Sequence, residues 1–152
     1  MSAGLIEAGV WLLGLDGEGH AQLRFDAALR IDGGMVAQIG CWEAVSYGVE
    51  HLPRLGLRGG LALPLFVSSA PPTLADRFGG ESGRLTPGSP AHLAVFAPGI
   101  VPSREALLRG EPGAVGFVAG KQLATLRGFL VDAPSEAEAK LWSAAARLAH
   151  GG

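Results

Sequence analysis

Arg24-Phe-Asp-Ala-Ala-Leu-Arg-Ile-Asp-Gly-Gly-Met-Val-Ala-Gln-Ile-Gly40 is the stretch that decides the fold. Phe25, Ala27, Leu29 and Ile31 alternate with Arg24, Asp26, Ala28 and Arg30. A period of two is that of a strand with one buried face. Asp32-Gly33-Gly34 follows, and paired glycines permit the positive φ angles of a tight hairpin turn. Met35 to Ile39 is then the return strand, ending at Gly40.

Working outward, Gly9 to Leu15 reads as a first strand and Asp16-Gly-Glu-Gly19 as a turn. Cys41 to Glu50 fits a short helix or a loop. Leu55-Gly-Leu57 and Leu61 to Val67 read as two strands, with Arg58-Gly59-Gly60 as the turn between them. Ser68 to Pro90 is rich in Ser, Pro and Gly, with a helical turn expected over Thr73 to Phe78. Thr86-Pro87-Gly88 is a turn, because proline presets φ and glycine suits the next position. Leu93 to Ala97 is a short strand. Pro102 to Arg109 predicts a helix capped by Ser103. Ala114 to Ala119 and Gln122 to Val131 predict a second hairpin around Gly120-Lys121. The tail predicts a helix over Glu136 to His150, with Ser135 and Glu138 spaced as a capping box. Leu141, Ala145 and Leu148, with Trp142 beside them, give it an apolar stripe that packs on its own sheet.

The composition narrows the function classes. Hydrophobic residues make up 48% of 152, enough for one domain with one core. The 24 glycines and 10 prolines suit short strands and many turns. Charged residues are only 17%, which points to surface buried against a protein partner or another copy. A net charge of −2 without a basic run argues against nucleic acid. No apolar run reaches membrane-spanning length, and no leader is evident at the start. With Cys41 the single cysteine, a reducing, cytoplasmic setting is expected.

Two segments carry a resemblance. Ala28 to Gly40 is similar to the early hairpin of the amidohydrolase superfamily, and Gly60-Leu-Ala-Leu-Pro-Leu-Phe-Val67 to the strand that leads into that family's catalytic barrel. Gly83-Arg-Leu-Thr-Pro-Gly-Ser-Pro-Ala-His-Leu-Ala-Val-Phe96 resembles the re-entry segment after the barrel. Val115-Gly-Phe-Val-Ala-Gly-Lys121 resembles the next strand and its turn. The resemblance implies a mainly β, sandwich-like composite domain with a C-terminal α-helix. Residues 1–67 would be its N-terminal half, 68–82 a linker where the barrel is inserted in the family, 83–134 the C-terminal half and 135–150 the helix. A linker of roughly fifteen residues cannot hold a barrel of about 250.

The family's metal-binding His-x-His pair is missing as well. On the alignment Ala70 and Pro72 stand at the histidine positions, and Ser68 at the aspartate before them. Alanine and proline side chains offer a metal no lone pair. The resemblance therefore implies no catalytic residue, no metal ligand and no cofactor. The expected function is a non-catalytic domain acting by protein association. Alternatives are the accessory part of a split metal-dependent hydrolase acting on C–N bonds, and a small-molecule-binding domain.

Other chemistry weighs less. His20, His51, His92 and His150 show no metal-ligand spacing. His92 stands where the family has an aspartate and is the one side chain put forward as functional, against a turn-capping or partly solvated role. Ser68 and Ser69 lack a nucleophile elbow. Cys41 is expected as a small core residue. Asp16, Asp26, Asp32 and Asp132 sit near turns, where carboxylates bond to backbone amides. Gly116 to Lys121 and Gly14 to Gly19 fail the phosphate-loop and dinucleotide patterns.

Overall fold

The computed structural model describes residues 4–66, 83–118, 120–123, 126, 130 and 135–151. The strands are β1 (Gly4–Leu15), β2 (Ala21–Asp32), β3 (Met35–Gly40), β4 (Arg54–Pro64), β5 (Leu93–Phe96), β6 (Ala114–Val118) and β7 (Lys121–Leu123). The helices are α1 (Trp42–Ser46), α2 (Arg104–Arg109) and α3 (Glu136–Gly151). The protein is mainly β with a C-terminal helix. One mixed sheet runs β3-β2-β1-β4-β5-β6-β7, antiparallel except for the parallel pair β1–β4. Parallel neighbours need a crossover, and the hairpin strands β2 and β3 with α1 supply it.

The decisive hairpin forms as its glycines require. Gly33 and Gly34 have φ of 61° and 80°, and Asp32 pairs with Met35. Beyond the turn, the free edge of β3 meets the segment before β5. Val36 N donates to Ser89 O at 2.8 Å, Gly88 N to Val36 O at 2.8 Å, and Ala91 N to Gly34 O at 3.0 Å. Gly120 N then donates to Ala91 O at 2.9 Å, so the second hairpin turn is tied to the first. The sheet thus folds over on itself in a sandwich-like form. Ile6, Trp11, Leu29, Ile31, Leu93 and Val95 fill the space it encloses. Trp11 is fully buried there, and its indole N–H donates to Ala27 O at 2.9 Å, so the ring brings no unmet donor into the core.

The opposite face carries Leu12, Leu61, Leu63, Phe96 and Val118 beneath α2 and α3. Strand alternation assigns neighbours to opposite faces: Leu93 and Val95 point inward, Ala94 and Phe96 toward the helices. Farther along, α1 covers Leu5 and Ala28 with Val45. That is why Ala28 is buried although it lies on the side read as outward.

The helices follow their local signals. Ser103 caps α2 by accepting from Ala106 N at 3.1 Å, and Gly110 ends it with φ 68°. Ser135 accepts from Glu138 N at 3.2 Å. The Glu138 carboxylate does not reach back as a full capping box would. It turns inward, accepting from Arg104 Nη1 and Trp142 Nε1, each at 3.0 Å. Trp142 in turn meets Phe96 edge-on, with centroids 6.0 Å apart. The apolar stripe of α3 is therefore core, as expected.

Three expectations are corrected. Arg58-Gly59-Gly60 is no turn between strands; it is an irregularity inside the continuous strand β4. Phe25 does not join the buried face and is 60% exposed. Cys41 is exposed, at the N-cap position of α1. The helical turn over Thr73 to Phe78 falls outside the described residues, as does most of Gln122 to Val131.

Candidate functional site

The second and first corrections have one origin. Ala8 pairs with Ala27 and with Leu57, but Val10 pairs with Phe25 and with Leu61. Only Gly9 and Asp26 lie between these pairs on β1 and β2, whereas β4 spends Arg58, Gly59 and Gly60. β4 is thus irregular against β1 at this level, while β1 and β2 stay in register. Asp26 has φ 49°, an unusual angle for a side-chain-bearing residue. Ala8 and Ala27 face the enclosed core, but Val10 packs with the helix-side cluster. Phe25, paired with Val10, turns to that side too.

The outcome is a row of apolar side chains, Phe25–Val10–Leu61–Phe96, in register across β2, β1, β4 and β5. Its outer part floors a groove of about 700 Å³. Ala97 to Pro102 forms one wall, and Arg147, Leu148 and Ala149 at the end of α3 form the other. Gly59 has φ 76°, and a Cβ there would lie 3.2 Å from Pro98 Cγ, so the β4 irregularity sits directly against the loop wall.

On the other side of the same irregularity lies a polar cleft of about 350 Å³, with Glu7, Asp26 and Trp42 in its lining. Arg54 closes its chemistry: the guanidinium lies 4.2 Å from the Trp42 ring centroid and pairs with Glu7. The two carboxylates are therefore not a free acid–base pair.

His92 is completely buried at the start of β5, which corrects the partly solvated role. Its backbone ties two segments: His92 O accepts from Leu65 N at 2.9 Å and His92 N donates to Pro90 O at 2.9 Å. His20 lies exposed in the β1–β2 turn, 3.7 Å from Asp16 and 3.6 Å from Glu18, and His51 is exposed after α1. Asp16 does bond to the backbone, accepting from Glu18 N and His20 N at 2.9 Å each. The His20 amide, then that of Glu18, holds its carboxyl below the ordinary value. Asp32 stands 4.0 Å from Arg30. Ser68, Ser69, Ala70, Pro72, Asp132 and the side chain of His150 lie outside the described residues.

No group of three or more His, Cys, Asp or Glu able to hold a metal ion exists among the described residues. No described helix is long and apolar enough to cross a membrane.

No family model matches the chain, and no curated protein matches it. Solved structures give partial likenesses. Aminofutalosine deaminase of Helicobacter pylori is 19% identical, over 42% of this chain and 15% of that one, with a TM-score of 0.36. Guanine deaminase of E. coli is 19% identical, over 43% and 17%, also at 0.36. N-acetyl-D-glucosamine-6-phosphate deacetylase of Mycobacterium smegmatis is 22% identical, over 45% and 15%, at 0.31. The chain spans no more than 17% of the length of these three proteins. Scores this low carry no argument about activity.

Proposed function

We propose that this chain is a composite β-domain of the amidohydrolase kind, in which the linker 68–82 stands where the barrel is inserted in the family. It has no metal chemistry of its own and acts by associating with a protein. The observation that supports this reading most directly is where the chain leaves and returns. Gly83 N donates to Leu65 O at 3.3 Å, and a Cβ on Gly83 would collide with the Phe66 ring. The ends of the 67–82 segment are thus neighbours in space. A pair of adjacent ends accepts a short link or a whole domain with little change to the sheet, because loop-closure entropy grows slowly with length. Leu85 N donating to Leu13 O at 2.7 Å binds the returning segment to the first half.

The partner is either another copy or a barrel-bearing hydrolase, for which this chain would be the accessory part. The test is capture of the tagged full chain from its own cells, with mass spectrometry and sedimentation of what is recovered. Stoichiometric recovery of a barrel-bearing hydrolase supports the accessory role in C–N bond hydrolysis. Recovery as a homo-oligomer supports self-association. A monomer that alone hydrolyses cyclic amides with a stoichiometric metal overturns the proposal.

A further inference from the structure

We infer that the groove between the strand irregularity and the end of α3 is a binding site for an amphipathic monoanion: a molecule with an apolar body and one carboxylate-like head. This goes beyond association, since it needs no partner. About 700 Å³ falls within the range of small-molecule pockets, roughly 300–1,000 Å³. The described lining is apolar apart from backbone and a single charged residue, Arg147.

Arg147 is exposed and makes no ion pair with any described residue, unlike Arg30, Arg54, Arg104 and Arg109. A guanidinium at the rim of an apolar groove favours an anionic head, which it can meet with two parallel N–H donors. A dianion would leave its second charge against Leu148 and Pro102, where no second charged side chain of the described lining answers it. A neutral apolar molecule would forgo the contact with the Arg147 guanidinium.

Phe25 lines the groove next to Asp26, which adopts φ 49°, a conformation uncommon for a side-chain-bearing residue. Regular alternation would have sent Phe25 to the face of Ala27. Strain of this kind concentrates at binding sites, where the rest of the fold holds it in place. Here it exposes an aromatic ring that folding alone would bury.

The test is isothermal titration of the full chain with decanoate, with decanol and butyrate as controls, beside sedimentation of the same samples. One decanoate should bind per chain, decanol more weakly and butyrate hardly at all. Arg147→Gln should weaken decanoate about tenfold, the effect of losing one charge-assisted contact, and leave decanol unchanged. Phe25→Ser should weaken both. Absence of saturable decanoate binding overturns the site, and so does an Arg147→Gln variant that binds decanoate as before. If the wild type is instead a dimer that Phe25→Ser dissociates, the groove belongs to a second copy. Failure of this site leaves the association reading untouched, because it is measured on the purified chain.

Discussion

Gly9 on β1 and Gly59 on β4 touch backbone to backbone: a Cβ built on Gly9 would stand 2.9 Å from the Gly59 Cα. No side chain fits between the two strands there. Gly9→Ala should therefore destabilise the fold by about 1–3 kcal/mol, the range for forcing extra atoms into a filled space. Gly17→Ala is the control. A Cβ on Gly17 meets nothing within 4 Å, so its effect should stay within about 0.5 kcal/mol. Urea denaturation of both variants measures the difference.

Glu138 joins two helices. Its side chain is 4% exposed and accepts from Arg104, which is 12% exposed, and from Trp142. Replacing one member of a buried pair leaves the other charge in a poor environment, so Glu138→Ala should cost about 3 kcal/mol or more. Ser103→Ala, which removes only the α2 cap, should cost about 1 kcal/mol. Equal losses in the two variants would show that the buried pair adds nothing beyond a cap.

The turn after β1 should respond to acid. Asp16 accepts from two backbone amides, and its carboxyl titrates below the ordinary value. The folded form therefore favours the ionised group. Its contribution is complete above the ordinary carboxylate value and is lost as pH falls through the lower, folded value. Carboxyl chemical shifts followed by NMR should place the Asp16 midpoint below the ordinary aspartate value. Asp16→Asn should remove this part of the acid dependence.

The 67–82 segment should accept added length. Its ends are held by the bond from Gly83 N to Leu65 O. Each doubling of a flexible loop costs only about 0.6 kcal/mol. Inserting about fifteen Gly and Ser residues between Ala70 and Pro71 should thus lower stability by about 0.6 kcal/mol and leave the circular dichroism spectrum unchanged. Loss of cooperative unfolding would remove the case for an insertion point.

Local features were legible because local chemistry decides them. Asp32-Gly33-Gly34, Pro87-Gly88, Ser103 and Ser135 each act on neighbouring backbone, and each turn or cap forms where expected. The groove was not legible. The alternation of Arg24 to Ile31 argues for one unbroken strand face, and nothing in those residues marks Asp26 as the break. The glycines that share the irregularity, Gly9, Gly59 and Gly60, lie far away in the chain. Glu138 was expected to close a capping box, and a competing buried partner 34 residues away drew its carboxylate inward.

By itself, the sequence determined the hairpins, the capped helices and the mainly β class. Residue type and short-range backbone preference suffice for these. Only the tertiary structure decided that Gly34, Ala91 and Gly120 close the sheet, that Leu65 and Gly83 adjoin, and that Phe25 turns outward into a groove. Those outcomes depend on register between strands distant in sequence. A register is chosen by the packing of whole faces, and no single stretch of chain contains it.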